Sequence, residues 1–217
     1  MSREEEILEK LRKALLEYNE EAIKNAAREA LKEKIDPLKA IDVLAEAIRE
    51  IGAKFERGEV FLPHLVIAAD CMQAAIDILK EAIPKAEIES RQLGTVVIGT
   101  VKGDIHSIGK DLVALMLSVN GFRVINLGVD VPVERFVETA ETENADIIAA
   151  SSLLTTTMME QKNLIEYLKA TGKREKFKVL VGGAPVTEQW AREIGADGYA
   201  KDAIEAVKVA KKLIGKE

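Results

Sequence analysis

One loop concentrates the residues that can do chemistry. Asp104-Ile105-His106-Ser107-Ile108-Gly109 follows an apolar run, Thr95 to Val101, and precedes Lys110-Asp111-Leu112-Val113-Ala114-Leu115-Met116-Leu117. The run reads as a buried strand and the segment after it as a helix. A histidine between a strand and the next helix stands where α/β sheets keep their ligands. A carboxylate two residues earlier can hold its ring in one tautomer, the usual support of a metal-bound imidazole. Alone, a single loop histidine is more often an ordinary polar residue, so the context must carry the assignment.

Two further segments supply context. Ser151-Ser152-Leu153-Leu154-Thr155-Thr156-Thr157 and Gly182-Gly183-Ala184-Pro185 also follow apolar runs. The hydroxyls of Ser151, Thr155 and Thr157 can donate to a buried ligand or extend the Asp104–His106 pair. Gly109 lets backbone approach a ligand at a helix start, and Gly182 and Gly183 leave room for something flat or long. The bland alternatives are a helix N-cap for the hydroxyls and a turn for the glycines. All three segments at one sheet edge would make a crevice suited to a large cofactor with polar substituents.

The elements that must position them alternate from Gly94 onward. Strands are predicted at 95–101, 122–127, 146–151, 178–182 and 197–200, and helices at 108–120, 133–143, 156–170, 187–194 and 202–214. Short apolar strands alternating with helices indicate a parallel sheet covered on both faces. Five such units suggest the doubly wound order 2-1-3-4-5, which puts strands 1, 3 and 4 side by side with the switch point between 1 and 3.

Residues 1 to about 86 read as four amphipathic helices in a small bundle. Ile7, Leu11, Leu15 and Tyr18 mark the first, and Ile23, Ala27, Ala30 and Leu31 the second. Asp36 caps the third, Pro37 opens it and Gly58 ends it; its apolar face is Leu38, Ile41, Leu44, Ile48, Ile51 and Phe55. Pro63 starts the fourth, with Leu65, Ala69, Met72, Ile76, Leu79 and Ile83 on one side. His64 is a surface or cap residue. The polar stretch from Pro84 to about Leu93 is the linker expected between a bundle at 1–90 and an α/β domain at 91–217.

Composition narrows the partners. The chain has 217 residues, 47% hydrophobic and 31% charged, with a net charge of −6. That balance argues against nucleic acid, which needs a basic face. Residues 1–90 hold 14 Lys+Arg against 20 Asp+Glu, either a solvated helical surface or an acidic docking face for a protein. Cys71 is the only cysteine, which leaves no disulfide framework and reads as core. The N-terminal residues lack a signal-peptide core, and no apolar run is expected to reach the ~18 residues of a membrane span. A cytoplasmic protein with no membrane partner is the expectation. No Gly-x-Gly-x-x-Gly follows the first strand, and no nucleotide P-loop is present. Strand 3 ends in Ser151 rather than an acidic residue, which weakens a phospho-receiver. Two histidines and one cysteine make a closed zinc site a poor fit.

At this point the chain resembles the corrinoid (cobalamin-binding) proteins of methyltransferase systems, related to the cobalamin-binding module of methionine synthase. The family pattern Asp-x-His-x-x-Gly, Ser-x-Leu, Gly-Gly is met by Asp104, His106 and Gly109, by Ser151 and Leu153, and by Gly182 and Gly183. Phe55-Glu56-Arg57-Gly58-Glu59-Val60-Phe61-Leu62-Pro63 resembles the family's cap-helix segment. The resemblance implies an N-terminal four-helix cap and a flavodoxin-like (Rossmann-like) five-stranded parallel sheet, with cobalamin between them. His106 would ligate cobalt through Nε2 in place of the cofactor's own base, Asp104 would accept from Nδ1–H, and Thr157 would extend the relay, where the methionine-synthase branch has Ser. Ser107, Ile108 and Gly109 would border the displaced nucleotide tail. Ser151, Leu153 and Thr155 would line its tunnel, with Gly182 and Gly183 making room. Phe55, Phe61, Leu62 and Leu65 match the apolar cap over the upper face; they can be ordinary bundle core as well, since a cap is a core face that opens.

The implied function is a methyl carrier, not catalytic alone, that alternates between methyl-Co(III) and Co(I). It would take a methyl group from a substrate-specific methyltransferase, methylamine being the first choice over methanol or a methoxylated compound. A second methyltransferase would pass it to coenzyme M or tetrahydrofolate, and a corrinoid reactivation protein would serve the carrier. A cobalamin-dependent regulator or sensor is the alternative, but no basic effector segment supports it. A mutase cobalamin subunit would lack the helical cap.

Overall fold

The computed structural model describes residues 2–83 and 92–216. The chain forms two compact units, Met1–Gln92 and Leu93–Glu217. The linker expected from Pro84 falls mostly outside the described residues.

The first unit is helical: α1 (Arg3–Leu16), α2 (Glu20–Lys32), α3 (Pro37–Glu56), α4 (Leu62–Leu79) and a short 3₁₀ turn, Lys80–Ala82. Its helix starts are chemically marked. Ser2 and Asn19 accept hydrogen bonds from Glu5 and Ala22 amides, and Asp36 from the Leu38 amide, with Pro37 behind it. At α4 the cap is His64, whose Nδ1 accepts from the Phe61 N–H at 3.2 Å. Apolar residues at helical spacing, among them Ile7, Leu11, Ile23, Leu44 and Ile51, make the core.

Two expectations for α4 are corrected. Its buried stripe is Leu65, Ala68, Cys71, Ala75 and Leu79, so Ala69, Met72 and Ile76 sit at its margin. The helix is apolar nearly all round, and the small residues are the ones that let α2 and α3 approach. The segment Leu62–Ala82 is also long and apolar enough to cross a bilayer by length and composition, with 21 residues at mean hydropathy 1.4. It packs here as a bundle helix against α2 and α3.

The second unit runs β1 (Thr95–Thr100), α5 (Ile108–Val119), β2 (Arg123–Asn126), α6 (Val133–Thr142), β3 (Ile147–Ser151), α7 (Met158–Ala170), β4 (Lys178–Gly182), α8 (Glu188–Ile194), β5 (Gly198–Ala200) and α9 (Ala203–Leu213). The described strands form one parallel sheet in the order β2-β1-β3-β4-β5. Predicted boundaries move by at most two residues. Both sheet faces are buried: Val97, Ile148, Val179 and Val181 pack with Phe136, Leu164 and Ile165, while Val96, Ile98, Ile147 and Leu180 face away and are also buried. Register places Thr100, Ser151, Gly182 and Ala200 in one row across the sheet's C-terminal edge. The loops that follow this row carry the site.

Candidate functional site

Asp104 lies in the loop after β1 with its side chain fully buried. Its Oδ1 accepts from the His106 amide at 3.1 Å and the His106 Nδ1 at 2.7 Å. Its Oδ2 accepts from the Leu153 amide at 2.7 Å, the Leu154 amide at 3.3 Å and the Thr157 hydroxyl at 3.1 Å. Burial pushes the Asp104 carboxyl up, but hydrogen bonds from the His106 and Leu153 amides, the His106 ring and the Thr157 hydroxyl outweigh it and bring it down to about 2. A carboxylate that stays ionised requires the proton on His106 Nδ1. In the neutral ring, Nε2 is then the nitrogen with the lone pair. The ring is half exposed, 49%, and Thr100 Oγ1 fixes the loop by donating to the His106 carbonyl at 2.8 Å.

The network extends one hydroxyl further than the sequence indicated. Ser152, fully buried, sits 2.8 Å from Thr157 Oγ1. Of the three hydroxyls expected to serve a ligand or the Asp104–His106 pair, only Thr157 joins the pair. Ser151 lines a cavity instead, and Thr155 is exposed and off that lining. Ser151 ends β3 beside the cavity, whereas Thr157, six residues on, is brought back to Asp104 by the loop that precedes α7. Thr157 precedes α7, yet its hydroxyl makes no cap bond to that helix.

Beside this network is a cavity of about 650 Å³. It runs from the ends of β1, β3, β4 and β5 to the first turns of α5 and α9. His106, Ser107, Ile108, Gly109, Ser151, Leu153, Gly182 and Gly183 all line it. Small or apolar residues floor it, including Ile98, Ala149, Leu180, Ala203 and Ala206. A Cβ at Gly109 would meet nothing within 4 Å, as a site for close ligand approach requires. The two later glycines also have a second cause, one the sequence did not indicate. A Cβ on Gly182 would lie 2.9 Å from the Ala200 carbonyl oxygen, and one on Gly183, where φ is +127°, only 1.8 Å from that of Ser152. They admit neighbouring backbone where the β3 and β4 ends meet, and they also line the cavity.

Lys110 was not singled out by sequence. It is buried, lines the cavity, and donates to Asp111 Oδ1 at 2.5 Å and Asn126 Oδ1 at 2.7 Å, tying α5 to the end of β2. Of the cap residues, on the helical unit, Phe55 is partly buried, Phe61 and Leu62 are exposed, and Leu65 is fully buried. Leu65 is thus core.

Comparison with known proteins agrees with this chemistry. A B12 binding domain family matches residues 94–208, and a second family described as a B12 binding domain matches residues 7–80. Trimethylamine corrinoid protein 1 of Methanosarcina acetivorans is 46% identical over 208 residues, 95% of this chain and 96% of its own length. Dimethylamine corrinoid protein 2 of the same organism is 47% identical over 215 residues, 99% of each. The methanol:cobalamin methyltransferase complex of Methanosarcina barkeri superposes with TM-score 0.88 at 29% identity, covering 98% of this chain and 81% of that one. A cobalamin-binding protein from Desulfitobacterium hafniense DCB-2 gives 0.70 at 32% identity, covering 95% and 98%.

The donor set fits a corrinoid. Among the described residues no cluster of three His, Cys, Asp or Glu can hold a bare metal ion, so a metal meeting His106 must bring most of its ligands with it. Ile105 and Ile108, 76% and 83% exposed, line the same cavity as the imidazole and offer apolar surface of the kind a large macrocycle would cover. Matched in both units and over nearly its whole length by such relatives, the chain belongs to the B12-binding family as a corrinoid protein of a methyltransferase system.

Proposed function

We propose that this protein is a methyl carrier that holds its corrinoid with the cofactor's own base displaced and His106 in its place. The observation that carries this is the 2.7 Å bond between His106 Nδ1 and a buried, ionised Asp104. It leaves Nε2 as the free donor on the rim of the cavity. The bound cofactor supplies a cobalt centre that can accept and give up a methyl group. His106 would hold the metal through Nε2, whose donor strength Asp104 would raise through Nδ1, while Thr157 steadies Asp104 from the other side. The cavity bordered by Ser107, Ile108, Gly109, Ser151 and Leu153 receives the displaced nucleotide tail.

The donor is the methyltransferase of a methylated amine, in keeping with the names of the trimethylamine and dimethylamine relatives. A second methyltransferase acting on coenzyme M or tetrahydrofolate takes the methyl group on, and a reactivation protein restores oxidised cofactor. These exchanges would take place in the cytoplasm. Reconstitution with methylcobalamin tests the central point. The visible spectrum of wild type should be that of a His-ligated corrinoid, and His106→Ala should give that of a water-ligated one. Identical spectra would remove His106 as the ligand.

A further inference from the structure

We infer that Asp130 is a positioning residue for His106, acting through the backbone of the loop that presents it. Asp130 lies between β2 and α6, in a different loop from His106. Its Oδ1 accepts from the Gly103 N–H at 2.7 Å, and its own N–H donates to the Asp104 carbonyl at 2.9 Å. One residue therefore grips the peptide group before Gly103 and the one after Asp104. The same two segments are joined below this clamp. The Thr100 N–H donates to the Gly128 carbonyl and the Val131 N–H to the Thr100 carbonyl, both at 3.0 Å.

The need for the clamp follows from the loop itself. Lys102, Gly103, Ile105 and His106 are exposed, so little packing holds their backbone. Gly103 has φ +80°, and its missing Cβ leaves its torsions free to vary. Downstream, the Asp104 side chain holds the His106 N–H and ring, and Thr100 Oγ1 the His106 carbonyl; upstream, Asp130 holds the backbone on which Asp104 itself stands.

Asp130 itself has φ +53°. Glycine meets that conformation at less cost, and Asp and Asn are the side chains that tolerate it best. A turn that asked only for this φ would be served by glycine; what glycine lacks is the acceptor used by Gly103. The inference rests on the assignment of His106 as the axial ligand.

Three variants separate the acceptor from the turn. Asp130→Gly keeps the φ and loses the acceptor, Asp130→Asn keeps both, and Asp130→Ala loses the acceptor while straining the turn. Each full-length protein is reconstituted with methylcobalamin, and the ratio of His-ligated to water-ligated cobalt is read from the visible spectrum. That ratio should fall about tenfold in Asp130→Gly, the scale of one lost hydrogen bond to a charged acceptor, and return to near wild type in Asp130→Asn. Amide hydrogen exchange at Gly103 in the cofactor-free proteins gives a second readout, with faster exchange expected in Asp130→Gly and Asp130→Ala but not in Asp130→Asn. An unchanged ratio in Asp130→Gly, or a folded Asp130→Asn that behaves like Asp130→Gly, would overturn the role. If wild type and His106→Ala give the same spectrum, it is the ligand assignment that has failed. The exchange data then still decide whether Asp130 holds the loop.

Discussion

Asp104 gathers donors from two loops: two from His106, the Leu153 and Leu154 amides, and the Thr157 hydroxyl. An amide in its place would turn a donor toward other donors. Asp104→Asn should therefore lose at least roughly 2 kcal/mol of stability at neutral pH, read by urea unfolding of the cofactor-free protein. The pH dependence has a definite sign. The native carboxyl titrates at about 2, below the unfolded value of about 3.9, so its stabilisation is full above the unfolded value and is lost as pH falls through the native one. The gap between wild type and Asp104→Asn should narrow from pH 5 to pH 3; a gap that widened would contradict the depressed carboxyl. Ser152→Ala removes a buried hydroxyl bonded to Thr157 and should cost about 1 kcal/mol by the same measurement. At this scale the sequence identified Asp104, His106 and Thr157 by type and order. It missed Ser152, because Ser151 and Ser152 are chemically alike and only the path of the loop decides which of them meets Thr157.

At the scale of elements, two glycines predict opposite outcomes. Gly183→Ala drives a Cβ into the Ser152 carbonyl at 1.8 Å, at φ +127°, and should cost upward of about 3 kcal/mol or prevent folding. Its effect would reach Asp104 through the β3–α7 loop. Gly109 stands in the first turn of α5 with open space around its missing Cβ. Gly109→Ala should stabilise the cofactor-free protein by about 0.5–1 kcal/mol and weaken cobalamin binding, as measured by titration. Unaltered affinity would place the cofactor away from this turn. In the α/β unit, strands and helices were legible to within two residues because apolar runs and capping residues mark them locally; in the bundle, the fourth helix ends at Leu79, short of the Ile83 expected on it. The buried face of α4 was not legible either. Asp70, Gln73 and Asp77 mark its exposed side, but the remainder is apolar, and the choice within it fell to Ala68, Cys71 and Ala75, whose small side chains permit close packing.

For the molecule as a whole, a cofactor held by the folded α/β unit must stabilise that unit by mass action. Methylcobalamin at a hundredfold excess over its dissociation constant should raise the unfolding free energy by about 2.7 kcal/mol. In His106→Ala the same concentration should give less. Equal stabilisation of both proteins in urea melts would show that the imidazole adds nothing to binding.

The sequence by itself determined the alternation of strands and helices, hence the sheet order and the edge at which three unusual loops converge, since these follow from periodicity and the rules of parallel sheets. Resemblance through Asp104, His106 and Gly109 then carried the cofactor. Tertiary structure decided which hydroxyl reaches the carboxylate, why Gly183 cannot carry a side chain, how Lys110 comes to be buried, and that Asp130 grips the neighbouring loop. Each depends on atoms far apart in the chain meeting within a few ångströms, and that distance is set by packing, which no local pattern encodes.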